Sequence, residues 1–121
     1  MSPESLRMLH LKQFAGSEQL FKHGLVRDVC YTEGVRYLAE KAGAYWLIDM
    51  VAFGQSLPAV AAEEFQVWTL RVALHNQRGL LTCEDGNGRG VYEYQLRYTD
   101  FPMKEIKLFF TGTVLMLASE Y

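Results

Sequence analysis

The chain has 121 residues, of which 50% are hydrophobic and 21% charged. This length and composition are typical of one globular domain rather than a disordered chain. Its 12 basic and 14 acidic residues give a formal net charge of −2, which argues against a polybasic nucleic-acid binder and a membrane-surface protein. The longest apolar stretch, 42–54, is shorter than the roughly 20 residues of a membrane span. Because the N-terminus also lacks a signal-peptide pattern, we expect a cytoplasmic protein without a membrane partner.

The N-terminal segment has the pattern of a helix. Ser2 suits the N-cap and Pro3 the first helical position, so a helix is predicted over 1–14 as an addition to a single domain spanning 1–121. Residues 17–21 are predicted to form a short helical turn.

Two further helices are predicted before the middle of the chain. Thr32 is the expected N-cap of a helix that ends at Gly43, with apolar residues recurring at spacings of three and four. The next helix, 44–53, is apolar on nearly every side. Such a helix is expected to be buried on several sides, at the centre of the fold.

Strand patterns fill the second half of the chain. Alternating apolar and polar residues predict strands over 64–74, 79–84 and 91–99. The segment 103–110 fits either a helix or a strand, and a short turn followed by a strand is favoured. A last strand is predicted over 113–118.

This order of elements defines the expected architecture. Helices followed by consecutive strands indicate an α+β fold. We expect an antiparallel sheet of four or five strands with the N-terminal helices packed on one face, the face that carries Trp68, Leu70 and Tyr94.

Several segments resemble a known family of proteins. They are 31–49, Glu64-Phe65-Gln66-Val67-Trp68, Cys83-Glu84-Asp85-Gly86-Asn87-Gly88, Tyr98-Thr99-Asp100-Phe101-Pro102 and the ending Ser119-Glu120-Tyr121. The family comprises small uncharacterised bacterial proteins from chromosomes, plasmids and phages, and the resemblance covers about residues 14–121. One departure is Ala118, where the family has a proline.

The resemblance implies little about chemistry. The family has no assigned activity, so no catalytic residue can be transferred to this chain. Its presence in mobile elements implies a role in conflict between a host and such an element.

Asp49 is the most unusual polar residue of the sequence. It lies within the apolar helix 44–53, where a carboxylate must be paired or become neutral. One interpretation is a buried functional group with a raised pKa. The other is a structural carboxylate that bonds a Trp, a Tyr or an Arg and fixes the helix against the sheet.

The other motifs have structural explanations that require no catalytic or metal site. The loop 85–90 places acidic and amide residues at the first and third positions of a calcium loop, but Arg89 stands where an oxygen ligand is required, so a hairpin turn and no metal are predicted. Cys30 and Cys83 have no metal-ligand spacing and are expected to be small core residues. No catalytic signature, metal site or cofactor motif is found, and no cofactor is predicted.

Three functions are kept open, led by a non-catalytic protein-interaction module that inhibits or modulates a host or defence complex. Its candidate interaction surface is the polar sheet face with Arg71, Glu93, Gln95 and Arg97. The alternatives are a small enzyme with a site around Asp49 and a nucleic-acid-binding regulator that uses a sheet face. The expected partner is another protein, a homo-oligomer is left open, and strong non-specific DNA binding is not expected.

Overall fold

The computed structural model describes residues 19–121. Within this range the elements are β1 (Leu20–Lys22), β2 (Cys30–Thr32), α1 (Glu33–Ala42), α2 (Tyr45–Gly54), α3 (Pro58–Ala61), β3 (Phe65–Ala73), β4 (Arg78–Glu84), β5 (Gly90–Leu96), β6 (Glu105–Thr111) and β7 (Val114–Leu117), followed by a 3₁₀ turn at Ala118–Glu120. The helix predicted over 1–14 lies outside the described residues. The favoured turn and strand near 103–110 are confirmed by β6.

All seven strands belong to one sheet, in the order β1-β2-β7-β6-β3-β4-β5. Neighbours are antiparallel except β2 and β7, which run parallel with Cys30 beside Val114. The expected antiparallel sheet of four or five strands with N-terminal helices is therefore wrong. Residues 17 and 18 of the helical turn predicted over 17–21 lie outside the described residues, and strand β1, which begins at Leu20, stands in place of its last part. Strands of three residues show too little alternation to be recognised in a sequence.

Helix α1 is defined by its ends and by one close contact. The Thr32 hydroxyl accepts a hydrogen bond from the Val35 N–H at 3.2 Å, as the sequence predicts, and Gly43 ends the helix in a left-handed conformation. A Cβ atom on Gly34 would lie 2.7 Å from the Leu117 side chain. Helix α1 therefore approaches β7 as closely as only glycine permits.

The three described helices cover one face of the sheet. Trp68 and Leu70 are buried there, as expected. Tyr94 also belongs to this face through its pairing with Leu81, yet it is 47% exposed, so the prediction that helices cover it is wrong. Tyr94 lies on β5, which in the described sheet is an edge strand with a neighbouring strand on one side.

Helix α2 is less enclosed than its composition indicates. Its buried side holds Leu47, Ile48 and Val51, but Tyr45, Asp49 and Phe53 form an exposed stripe at a spacing of four residues. Burial on several sides is therefore wrong for this helix. Across the described residues, no helix has the length and apolar character that a membrane crossing requires.

A network around Gln66 joins the helix layer to the sheet. Gln66 is 1% exposed, and its Oε1 accepts a hydrogen bond from Trp68 Nε1 at 2.9 Å. Its Nε2 donates to the carbonyl of Val60 at 2.9 Å and to the side chain of Gln55 at 2.8 Å. We call these residues the Gln66 network; it satisfies each buried polar group that it contains.

Candidate docking site beside helix α2

The loop between β1 and β2 is fastened to helix α2 by a histidine. His23 is 7% exposed, and its Nε2 lies 2.7 Å from Asp49 Oδ1. Its Nδ1 accepts hydrogen bonds from the backbone N–H groups of Leu25 at 3.1 Å and Val26 at 2.9 Å. Because Nδ1 accepts, the proton lies on Nε2, which donates to the carboxylate.

This contact corrects the sequence-based view of Asp49. The carboxylate is not buried, since its side chain is 53% exposed. Its partner is a histidine 26 positions away, instead of a Trp, a Tyr or an Arg, and it holds the helix against a loop instead of the sheet. No periodic pattern marks His23, so the sequence signal for this pair consists of Asp49 alone.

The geometry defines what the pair can do chemically. A general base needs a nitrogen lone pair within reach of a substrate proton. The lone pair of His23 Nδ1 already accepts two backbone N–H groups, and Nε2 carries the proton given to Asp49. This arrangement favours a positioning role, in which the pair fixes the path of the loop.

A depression of about 390 Å³ lies between this loop and helix α2. Val29, Ala52 and Phe110 contribute to its lining, and all three are among the buried core residues. Asp28, Gln55 and Ser56 add polar groups to the lining. The depression thus combines apolar walls with a few polar groups, as sites that receive a ligand side chain do.

Exposed apolar side chains occur in the same two elements. Phe53 is 48% exposed, contributes to the lining and packs edge-on against the His23 ring with centroids 5.5 Å apart. Leu25, in the loop, is 78% exposed, and Leu57 follows helix α2 at 39%. We call Leu25, Val26, Phe53 and Leu57, with the depression, the docking site. Leu25 and Leu57 each adjoin a lining residue in the chain, Val26 and Ser56, and exposed apolar side chains around a depression mark interaction sites.

The four residues of the sequence-predicted interaction surface lie on the other face of the sheet. Arg71, Glu93, Gln95 and Arg97 are all exposed. Register brings Arg71 and Gln95 to either side of Leu80, whereas Arg97 follows the end of β5. Arg71 Nε donates to Glu105 at 3.2 Å. Arg71, Glu93 and Gln95 therefore share a face with one another but not with the docking site.

The strand register also places Arg78 on this face, a residue that no sequence motif marks as a candidate. Arg78 and Arg71 both line a second depression of about 430 Å³, together with Gln95 and Leu96. Among residues 19–121, neither Arg78 nor Arg97 forms an ion pair. The pairing of β3 with β4 brings Arg78 opposite Ala73. The position of Arg78 on the same face as Arg71 follows from this register and not from the local sequence pattern.

The remaining titratable groups have structural explanations. The Asp85 carboxylate accepts backbone N–H groups of Asn87 and Arg89, each at 2.8 Å, and the Arg89 and Asn87 amides lower the pKa of Asp85. Burial, with smaller contributions from Glu63 and Glu84, raises the pKa of the Cys83 thiol to about 12. Within the described range, no three His, Cys, Asp or Glu residues are placed to hold a metal ion.

Comparison with known proteins assigns the chain to a family. A model of a family of unknown function, DUF6876, matches residues 7–121, so the chain belongs to this family. The match begins before residue 14, so part of the segment that the sequence analysis treats as an addition belongs to the family region. No curated protein and no solved structure matches the chain.

Proposed function

We propose that this protein is a non-catalytic interaction module and that the docking site receives an apolar side chain of a partner protein. A bacterial, plasmid or phage origin, a cytoplasmic location and a host or defence complex as the target belong to this proposal. The observation that carries it is the depression of about 390 Å³ with exposed Phe53 in its lining. Anchor residues of partner proteins fill pockets of this type.

The chemistry of the lining defines the anchor. Val29, Ala52 and Phe110 offer apolar contact to an aromatic or branched aliphatic side chain. The Asp28 carboxylate can accept a hydrogen bond from a donor next to that side chain. The partner therefore carries an anchor such as a tryptophan or leucine, with an N–H group or a cation beside it.

The His23–Asp49 pair supports the proposal as a positioning device. It holds the N–H groups of Leu25 and Val26 on one side of the depression and helix α2 on the other. A site whose walls are fixed before binding loses less conformational entropy when the partner arrives. Asp49 thus contributes to binding through the loop and not through contact with a reacting group.

Indole, the side-chain mimic of tryptophan, is the direct probe of the docking site. In a ¹H–¹⁵N NMR titration we expect saturable shifts confined to amides around the depression, among them Val26, Phe53 and Thr113. Phe53→Glu removes these shifts, and Leu74→Glu, an equal change at an exposed leucine elsewhere, keeps them. Absence of saturable shifts, or shifts spread over the surface, would contradict the proposal.

Affinity capture from cells that carry the gene natively extends this test to the whole partner. A protein retained by the wild type and by Leu74→Glu but lost with Phe53→Glu is the expected result. A partner that Phe53→Glu still retains would show that another surface binds it.

The nucleic-acid alternative has one observation in its favour, namely that Arg78 and Arg97 form no ion pair within the described part of the chain. Binding through them would be salt-dependent. A fluorescent single-stranded oligonucleotide at about 150 mM salt separates the two functions, because a salt-sensitive complex lost with Arg78→Glu supports the regulator. We expect no such complex.

A further inference from the structure

Strand β5 is an open edge of the sheet. It pairs with β4 on one side, and within residues 19–121 no strand pairs with its other side. The edge continues past Leu96, because the Thr99 N–H donates to the Gln77 carbonyl at 2.7 Å and keeps the chain beside the β3–β4 turn. Tyr94 and Tyr98 are 47% and 65% exposed along it. An exposed edge of this length is a template for another strand.

A second copy of the chain can supply that strand only in certain registers. In an antiparallel pair, residues opposite each other point to the same face. A two-fold axis perpendicular to the sheet therefore passes midway between one residue and its own copy. The choice of that residue, which we call the axis residue, fixes all other pairs.

Charge selects among these registers. An axis at Glu93 would place the two Glu93 carboxylates opposite each other, which is repulsive. An axis at Tyr94 would place Glu93 opposite Gln95 and Arg97 opposite Val91, so that both charges lack a partner. An axis at Gln95 places Glu93 opposite Arg97 twice, once on each side of the axis.

The same register also joins the aromatic residues of the edge. With the axis at Gln95, Tyr94 faces Leu96 and Tyr92 faces Tyr98. Tyr92, Tyr94 and Leu96 share the helix-bearing face of β5, and Tyr98 lines a depression there with Leu96 and Trp46. Glu93 and Gln95 point to the other face, and the pairing with a second copy requires that Arg97, which follows β5 in a bend, continues this alternation. One register therefore gives apolar pairs on one face and opposite charges on the other, each of which stabilises antiparallel strands.

We propose that two copies of this protein associate through antiparallel pairing of β5, with the two-fold axis at Gln95, and form one continuous sheet of both subunits. This surface is separate from the docking site, so the two proposals can fail independently.

A charge exchange measured by sedimentation equilibrium tests the register. We expect wild type to dimerise, and Arg97→Glu, which places Glu opposite Glu93, to raise the dissociation constant at least about tenfold. The double variant Glu93→Arg/Arg97→Glu restores the dimer because the pairs are again opposite in charge. Lys107→Glu, an equal change on β6 at an exposed position away from the edge, leaves association unchanged.

A cysteine on the axis gives a second, independent measurement. In a Cys30→Ser background, Gln95→Cys places two thiols directly opposite each other, and mild oxidation is expected to link the subunits. Arg97→Cys, which faces Glu93, is expected not to link them. Linkage through Glu93→Cys instead of Gln95→Cys, a dimer indifferent to Arg97→Glu, or a monomeric wild type at about 100 µM would each overturn the proposal.

Discussion

The Gln66 network and the His23–Asp49 pair use buried polar groups in different ways. Gln66 is enclosed, and its bonds to the Trp68 indole and the Val60 carbonyl lie in the packed region between helix layer and sheet, although its third partner, Gln55, lines the depression. His23 is also buried, but its partner Asp49 is half-exposed, on the helix that lines an open depression. An enclosed network fixes how layers pack, whereas a pair that reaches solvent fixes the edge of a surface. The second arrangement is the one that positions a site.

Gln66→Leu is expected to give the largest effect. It leaves the Trp68 indole N–H without an acceptor inside the packed region and removes one of the donors to the Val60 carbonyl, which keeps the Glu63 N–H at 3.0 Å. This should lower the free energy of unfolding by about 3 kcal/mol. Urea unfolding measures this. Gln55→Leu, at the less buried end of the network, is the matched control, with an expected loss of about 1 kcal/mol. Equal losses for both variants would contradict the role assigned to enclosure.

His23→Phe is expected to give the next largest effect. It should lower the free energy of unfolding by about 2 kcal/mol, because two backbone N–H groups lose their acceptor. Hydrogen exchange at Leu25 and Val26 should accelerate. His75→Phe, at an exposed position, should change neither quantity.

Asp49→Ala should cost about 1 kcal/mol, since the half-exposed carboxylate is partly replaced by water. In the background of His23→Phe this cost should vanish. Additive losses in the double variant would show that the two side chains act separately.

Thr69→Val tests the opposite case to the Gln66 network, a buried polar group that is left unsatisfied within residues 19–121. Thr69 is fully buried, and its hydroxyl has no hydrogen-bond partner among the described residues. The near-isosteric valine removes this unsatisfied group and should stabilise the fold by about 1 kcal/mol. Thr32→Val, which removes both the cap of α1 and a 2.6 Å bond to Glu120, should destabilise it. A destabilising Thr69→Val would mean that the hydroxyl is satisfied.

Asp85→Asn has the smallest expected effect and a defined pH dependence. The lowered pKa of Asp85 means that its ionised form stabilises the folded chain. That contribution is fully present above the ordinary value of 3.8 and is lost as the pH falls through the lowered value. Wild type should therefore exceed Asp85→Asn in stability at neutral pH and lose this advantage in acid. A difference that does not depend on pH would contradict the assignment.

The sequence predicted those features that local pattern determines. Thr32 as a cap, the alternation of β3 to β5 and the hairpin at Asp85 all depend on neighbouring residues. The short β1 and β2, the parallel pairing of β2 with β7 and the partner of Asp49 depend on residues far apart in the chain. Asp49 was recognised as unusual because its neighbours are apolar, but its exposure follows from which side of α2 faces the sheet.

The parallel pairing of β2 with β7 has a consequence for how the protein folds. Thr32 and Glu120, which bond across this junction, are 88 positions apart, so closing it restrains most of the chain at once. Strands β3 to β5, and β6 with β7, can form hairpins from nearby residues, but β1 and β2 have no place in the sheet until β7 is available. Folding is therefore expected to be limited by this late, long-range step. On the ribosome, β1 and β2 must wait until the residues of β7 have been made.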